Sequence, residues 1–252
     1  MDPAAYLDRI GARWNGSADA DSLRDLQIAH LRSVPFENLS IHLGETIVLD
    51  EEHVLAKIVD RRRGGFCYEL NGAFGFLLSA LGYRVTLLGA RTYGGGNWGP
   101  PFDHMAIRVD LAEPWLVDVG FGRFTHHPIR LDGRDDQDDP GGTFRITEEP
   151  DGDLTVTGDG SPEYRLETRP RPLADFAPTC WWQQTSPTTH FTQSLVCSLV
   201  TDAGRVTLSG DTLTITTGAD REEVKLSSDA EILAAYRDRF GIELDRVPTV
   251  RG

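Results

Sequence analysis

Apolar residues recur at helical spacing over residues 21–32, through Leu23, Leu26 and Leu31, and again over 51–61, through Val54, Leu55, Ile58 and Val59. Both stretches predict helices. At Arg63-Gly64-Gly65 two glycines break the pattern, and a new amphipathic stretch follows with Phe66, Leu70, Phe74, Leu77 and Leu81 near one face. Cys67 is therefore expected at a helix start. From Tyr83 the period shifts toward alternation, and residues 85–88, 105–109 and 115–119 predict strands separated by loops rich in Gly, Pro and Asp. Residues 143–147 and 154–157 flank the turn pair Asp151-Gly152 and predict a hairpin, with 164–168 as the next strand. The acidic segment 132–140 is expected as an exposed loop. After Ser186-Pro187, residues 195–200, 205–209, 213–217 and 223–226 predict a small meander, followed by a helix over 228–240. No repeat, low-complexity tract or long linker interrupts this helical, then β, then mixed order, so one compact body is expected rather than separate beads.

Composition narrows the class. A chain of 252 residues, 39% hydrophobic and 25% charged, has the make-up of a soluble globular protein that can bury a substantial core. No run nears the ~18 apolar residues of a membrane span. The opening MDPAAYLDRIGARW lacks the basic-then-apolar order of a secretory signal, so a cytoplasmic protein is expected. A formal net charge of −14 argues against general attraction to nucleic acid or anionic membrane. An anionic ligand would need a local basic patch, for which Arg61-Arg62-Arg63 is a candidate beside the plainer reading of a solvated helix end. The three cysteines, Cys67, Cys180 and Cys197, are odd in number and lack the paired spacing of a disulfide framework or zinc site. At least one free thiol and no metal are expected. Cys180, beside Trp181-Trp182, fits an apolar setting.

A thiol attacks carbonyls as thiolate, which a neighbouring imidazolium and the positive end of a helix both favour. Cys67 at a helix start meets one condition. His104, at the head of a strand after the 94–103 loop, can supply the other, and Asp118 at the end of the next strand can fix its tautomer and stabilise the charged ring. Taken singly, each has a plainer reading: a packed cysteine, a structural histidine, a turn-supporting aspartate.

The flanking sequence distinguishes these readings. Arg63-Gly64-Gly65-Phe66-Cys67-Tyr68-Glu69-Leu70-Asn71 closely resembles the nucleophile motif of arylamine N-acetyltransferases. Val34-Pro35-Phe36-Glu37-Asn38-Leu39, Asp103-His104-Met105, Val117-Asp118-Val119-Gly120-Phe121-Gly122 and Ser186-Pro187-Thr188-Thr189-His190-Phe191 are each similar to a family segment, in the same order. The resemblance implies an α+β fold with a cysteine-protease-like Cys-His-Asp core. A helical bundle over residues 1–83 would carry the nucleophile, a β-barrel over 84–187 the histidine and aspartate, and an α/β lid would occupy 188–252. It implies that Cys67, with His104 and Asp118, takes acetyl from acetyl-CoA and passes it to an arylamine or hydrazine in a ping-pong cycle. Phe36 and Phe121 match positions lining the family's acceptor pocket, and Gly120, Phe121 and Gly122 are expected beside CoA. Plain packing and turn formation are the alternatives for these residues. Glu37 and Arg63 are expected to pair and hold the Cys67 loop. Asp103 departs from the threonine many relatives carry and could compete with Asp118 for His104; His190 is either structural or at the edge of the CoA cleft. Rival functions are an amide synthase of the same family closing an ansamycin-type polyketide macrolactam, a thiol hydrolase, and a non-catalytic binding protein on the same scaffold.

Overall fold

The computed structural model describes residues 2–250. Helix α1 (Pro3–Ile10) starts where the Asp2 side chain accepts from the Ala4 N–H and stops at Gly11, which takes the left-handed turn at φ 65°. Helix α2 (Ala20–Ser33) is capped in the same way by Asp19, which accepts from Ser22 N at 2.9 Å. The two-residue strand β1 (Phe36–Glu37) and the short helices α3 (Leu39–Leu43) and α4 (Glu51–Leu55) follow. The helix expected over 51–61 is divided: α4 runs into a π-helical turn at Ala56–Asp60. That turn places Lys57 and Ile58 in the interior.

Helix α5 (Cys67–Ala80) is the axis of the helical part. The sequence pattern suggests one apolar face, but burial runs unbroken from Cys67 to Gly75 and resumes at Leu77 and Leu78. A helix enclosed on all sides loses its polar face. The cause is position: α5 is packed by α1, α4 and the strands that follow it.

Those strands are β2 (Arg84–Gly94), β3 (Asn97–Trp98), β4 (His104–Asp110), β5 (Pro114–Val117), β6 (Ile129–Arg130), β7 (Gln137–Asp139), β8 (Gly142–Glu148), β9 (Leu154–Gly158) and β10 (Ser161–Pro170). They form a nearly closed, barrel-like antiparallel sheet in the order β6-β5-β4-β2-β10-β9-β8-β7, with β3 against β2. The expected hairpin is β8–β9, with Ile146 opposite Val156 and Gly152 in its turn at φ 87°. The acidic 132–140 segment is not a free loop throughout. Residues Gln137–Asp139 pair with β8, and the buried Asp139 carboxylate accepts from His126 N and His127 N at 2.7 and 2.9 Å.

A 3₁₀ turn (Leu173–Phe176) leads into α6 (Ala177–Thr185) and α7 (His190–Gln193). The expected meander then appears as β11 (Cys197–Thr201), β12 (Gly204–Ser209), β13 (Thr212–Thr217) and β14 (Asp220–Lys225), backed by α8 (Asp229–Phe240). Strand β1 joins its edge, pairing Phe36 with Ser198 and Glu37 with Cys197. The same strand meets the loop before α5: Glu37 N donates to Gly65 O at 2.8 Å. Two residues of β1 thus tie the last sheet of the chain to the segment that positions Cys67. Among the described residues no helix is long and apolar enough to cross a membrane.

Candidate active site

The glycine break before α5 has a steric basis. A Cβ on Gly64 would lie 1.9 Å from Pro35 O, and one on Gly65 would lie 2.7 Å from the Glu69 side chain. Gly64 therefore packs backbone on backbone, and Gly65 makes room for the Glu69 side chain. Behind this loop lies a buried ionic network. Arg63 Nη2 reaches Glu37 Oε1 at 2.9 Å, Lys57 Nζ lies 2.7 Å from Glu69 Oε1, and Glu37 Oε2 accepts from Leu39 N at 2.6 Å. The expected Glu37–Arg63 pair is present. Although burial raises the Glu37 carboxyl, Lys57 and Arg63 together hold it below the ordinary range. Glu69 goes the other way: burial raises it, and Lys57 only partly offsets this. Its second oxygen accepts from Phe66 N at 3.3 Å, capping α5 from inside. Arg61 and Arg62, by contrast, are exposed. The three-arginine run is not a single patch.

Cys67 is the first residue of α5, in an apolar pocket with Phe66, Tyr68, Met105, Phe176 and Cys180. Burial pushes its thiol well up, the neighbouring Cys180 and the charges of Asp118 and Asp103 add to this, and the Met105 N–H opposes. A bare thiolate is therefore disfavoured. Attack requires that the proton move onto a base inside the site.

His104 begins β4 opposite Ala90 of β2, and Asp118 follows the last residue of β5. Because β4 and β5 are antiparallel neighbours, the two side chains meet: His104 Nε2 lies 2.6 Å from Asp118 Oδ2, with both residues buried. The other Asp118 oxygen accepts from Asn71 Nδ2 at 2.8 Å and Gly120 N at 2.9 Å. Asn71 also donates to Met105 O and accepts from Val119 N. One amide thus fixes the aspartate and the strands beside it. The buried Tyr164 ring packs against His104 at 5.1 Å, and its hydroxyl faces Asp118 without closing a hydrogen bond of ordinary geometry. Asp103 does not compete for His104. Its two oxygens accept from Thr92 N and Thr92 Oγ1, both at 2.8 Å, tying the loop to β2.

Cys67, His104, Asp103 and Gly120 open on a cleft of about 510 Å³ whose walls include Phe36, Phe121, Trp182, His190 and Phe191. Phe121 stands edge-on to His104 at 5.0 Å. A Cβ on Gly120 would meet Cys67 Cα at 2.7 Å and Asn71 Nδ2 at 2.8 Å, so this glycine is required by the α5 N-terminus whatever else occupies the cleft. Gly122, at φ 89°, turns the chain and is not among the cleft-lining residues. His190 sits on the rim, bonded through Nε2 to Ser194 Oγ at 3.0 Å. Cys180 is buried as expected, but Trp181 and Trp182 are exposed, so its apolar setting is the pocket around Cys67.

Sequence reading assigned no role to Asn71, Tyr164 or Trp182. Asn71 stands one helical turn beyond Cys67, and that i,i+4 spacing was the available signal. Nothing local marks Tyr164, which arrives from β10 by way of Thr92 on β2.

The N-acetyltransferase family model matches residues 19–249. The chain belongs to the arylamine N-acetyltransferase family. Family members are acyltransferases. A Mycolicibacterium smegmatis arylamine N-acetyltransferase is 37% identical, with 97% of this chain and 93% of that protein covered. The solved M. smegmatis enzyme superposes with a TM-score of 0.89 at 36% identity, covering 97% of this chain and 93% of that one. The Mycobacterium marinum enzyme, solved in complex with CoA, gives 0.87 at 35% identity, with 96% and 93% covered.

Proposed function

We propose that this family member transfers acetyl from acetyl-CoA to an arylamine or hydrazine through an acetyl-Cys67 intermediate. The observation that carries the reading is a thiol at a helix N-terminus sharing one cleft with a histidine whose Nε2 is fixed by a doubly anchored aspartate. In the first half-reaction the Cys67 sulfur forms a bond to the acetyl carbon, the carbon–sulfur bond to CoA breaks, and the Cys67 proton passes by way of His104 to the departing CoA thiolate. In the second, the amine nitrogen bonds to the acetyl carbon, the carbon–sulfur bond to Cys67 breaks, and the amine proton passes by way of His104 to the Cys67 thiolate, restoring the thiol. Asp118 stabilises the imidazolium that each half-reaction requires. Donor and acceptor use one cleft in turn, which is the physical basis of a ping-pong order.

In this reading Phe36 and Phe121 are the flat walls for an aromatic amine. Gly120 and Phe121 border the donor's thioester arm, with Gly122 shaping the loop that carries them. Residues 1–83 supply the nucleophile, 84–187 the histidine and aspartate, and 188–252 the lid. A cytoplasmic setting suits an enzyme that needs acetyl-CoA and a reduced thiol.

Intact-protein mass spectrometry after brief exposure to acetyl-CoA without amine tests the proposal, with Cys67→Ser as control. A gain of one acetyl group in the parent chain alone is expected. No gain in folded protein with a free thiol would sink it, pointing to a larger thioester donor, as in an amide synthase. Steady acetate release without amine would identify a hydrolase.

A further inference from the structure

A second cavity, of about 750 Å³, is larger than the cleft at Cys67. It lies where the end of α2, the loop after β5 and the turns of the C-terminal sheet converge, and Arg32, Arg123, His126, His127, Arg205 and Arg221 all line it. The chain carries 39 acidic residues against 25 Lys and Arg, so four arginines on one cavity run against its overall charge. Two of the four have carboxylate partners, as does His127. Arg32 pairs with Asp202 at 2.8 Å, His127 with Asp139 at 3.1 Å, and Arg221 with Glu223.

Two do not. Among the described residues, neither Arg123 nor Arg205 has a carboxylate within 4.0 Å. Arg205 donates from Nη1 to Ser198 Oγ at 3.0 Å, and the Glu163 carboxyl feels Arg123 without reaching ion-pair distance. Burial, with the like charge of Arg123, pushes the Arg205 guanidinium down to about 10. Arg123 is exposed and keeps its water, but the half-buried Arg205 holds its charge beside Arg123 without an anion, which is a cost. An anion with several oxygens would remove it, since each guanidinium offers five N–H donors in a plane suited to phosphate. Phe124 and Ile28 on the same cavity give an apolar surface for the rest of such a molecule.

We propose that this cavity is a binding site for a phosphate-bearing small molecule with at least two negative charges, held chiefly by Arg123 and Arg205. The site is separate from the cleft: Phe124 faces it, while Phe121, in ring contact with Phe124 at 5.4 Å, faces His104. The proposal does not depend on the acyl-transfer reading.

Isothermal calorimetry on the full chain at low ionic strength tests it, with inorganic pyrophosphate and adenosine 3′,5′-bisphosphate as separate probes. One-to-one binding of at least one probe is expected, weakening as salt is added. Arg123→Gln and Arg205→Gln should each weaken it about tenfold or more, in line with loss of a charge-assisted contact. Pyrophosphate binding as well as the nucleotide would identify a free-phosphate site, and a marked preference for the nucleotide a phosphoadenosine site; either supports the proposal. No heat from either probe with the parent chain overturns it. So does binding that Arg123→Gln leaves intact, which would place the ligand elsewhere. Arg123 lies on a loop, so this variant keeps the test decisive if Arg205→Gln lowers the unfolding midpoint.

Discussion

Asp118 is anchored on both oxygens, which determines what an amide would do in its place. Asn71 Nδ2 and Gly120 N both donate to Oδ1, so the carbonyl of Asp118→Asn stays there and its NH₂ group faces His104. His104 Nε2 must then accept, the ring proton moves to Nδ1, and the histidine loses the nitrogen that, in the proposed mechanism, receives the thiol proton. Asp118→Asn should lower acetylation of Cys67 by about 10³–10⁴-fold, measured by rapid-quench mass spectrometry. Asp103→Asn should cost less than about tenfold, because an amide satisfies both Thr92 groups; the reverse ranking would show the roles to be misassigned. Gly120→Ala separates packing from turn geometry. Its Cβ drives against Cys67 Cα and Asn71, predicting a loss of about 1–3 kcal/mol in urea unfolding together with activity. Gly122→Ala meets only Phe36, at 4.0 Å, and should cost about 1 kcal/mol through its positive φ. Cys67, His104 and Asp118 were picked out together because all three sit in distinctive flanks. Asn71 was inside a quoted motif yet had no role, since its partners lie 34 and 47 residues away.

At the scale of elements, the start of α5 rests on buried charges, of which the sequence pattern marked the Glu37–Arg63 pair but not the Lys57–Glu69 pair. Lys57 occupies a stretch whose apolar spacing predicts an ordinary amphipathic helix; the π-helical turn rotates it inward onto Glu69. No spacing rule marks that extra residue per turn. Lys57→Met leaves Glu69 and Glu37 short of a cation in a dry interior, so a loss of about 3–5 kcal/mol in urea unfolding is expected. Adding Glu69→Gln to Lys57→Met should recover part of that loss, because the neutral amide needs no counter-charge and can still accept from Phe66 N. A double variant no more stable than the single would mean that the network holds α5 by shape alone. Helices α6 and α7 had no counterpart in the pattern. Their apolar positions face the cleft and the Cys67 pocket in turn, while Trp181 points outward, and that division leaves no stripe of period 3.6.

For the molecule as a whole, alternation along the chain marked the longer strands but neither the short β1, β3, β6 and β7 nor that β10 returns beside β2 and β1 joins the last sheet. Those pairings are set by closure of the barrel and by the shared core, which no local window contains. The helical core holds a further feature of this kind. His30 on α2 is fully buried between Tyr6 of α1, whose hydroxyl lies 3.1 Å from Nδ1, and Phe74 of α5, edge-on at 5.0 Å. Burial, helped by the nearby Arg9 charge, pushes the ring down to about 3. The folded state therefore keeps His30 neutral, while the unfolded chain protonates it near pH 6.5. Because the folded pKa is the lower one, the stabilising contribution is complete above pH 6.5 and is withdrawn as pH falls toward 3. Between pH 6.5 and 5.0, before most carboxylates titrate, this residue alone should cost roughly 1–2 kcal/mol of unfolding free energy. His30→Gln keeps an acceptor for Tyr6 but cannot titrate. Whatever its stability at pH 7.5, its urea midpoint should fall less over that interval than the parent's. Equal slopes for the two proteins would place the acid sensitivity elsewhere, with His126 and His127, whose burial also lowers them, as the groups to substitute next.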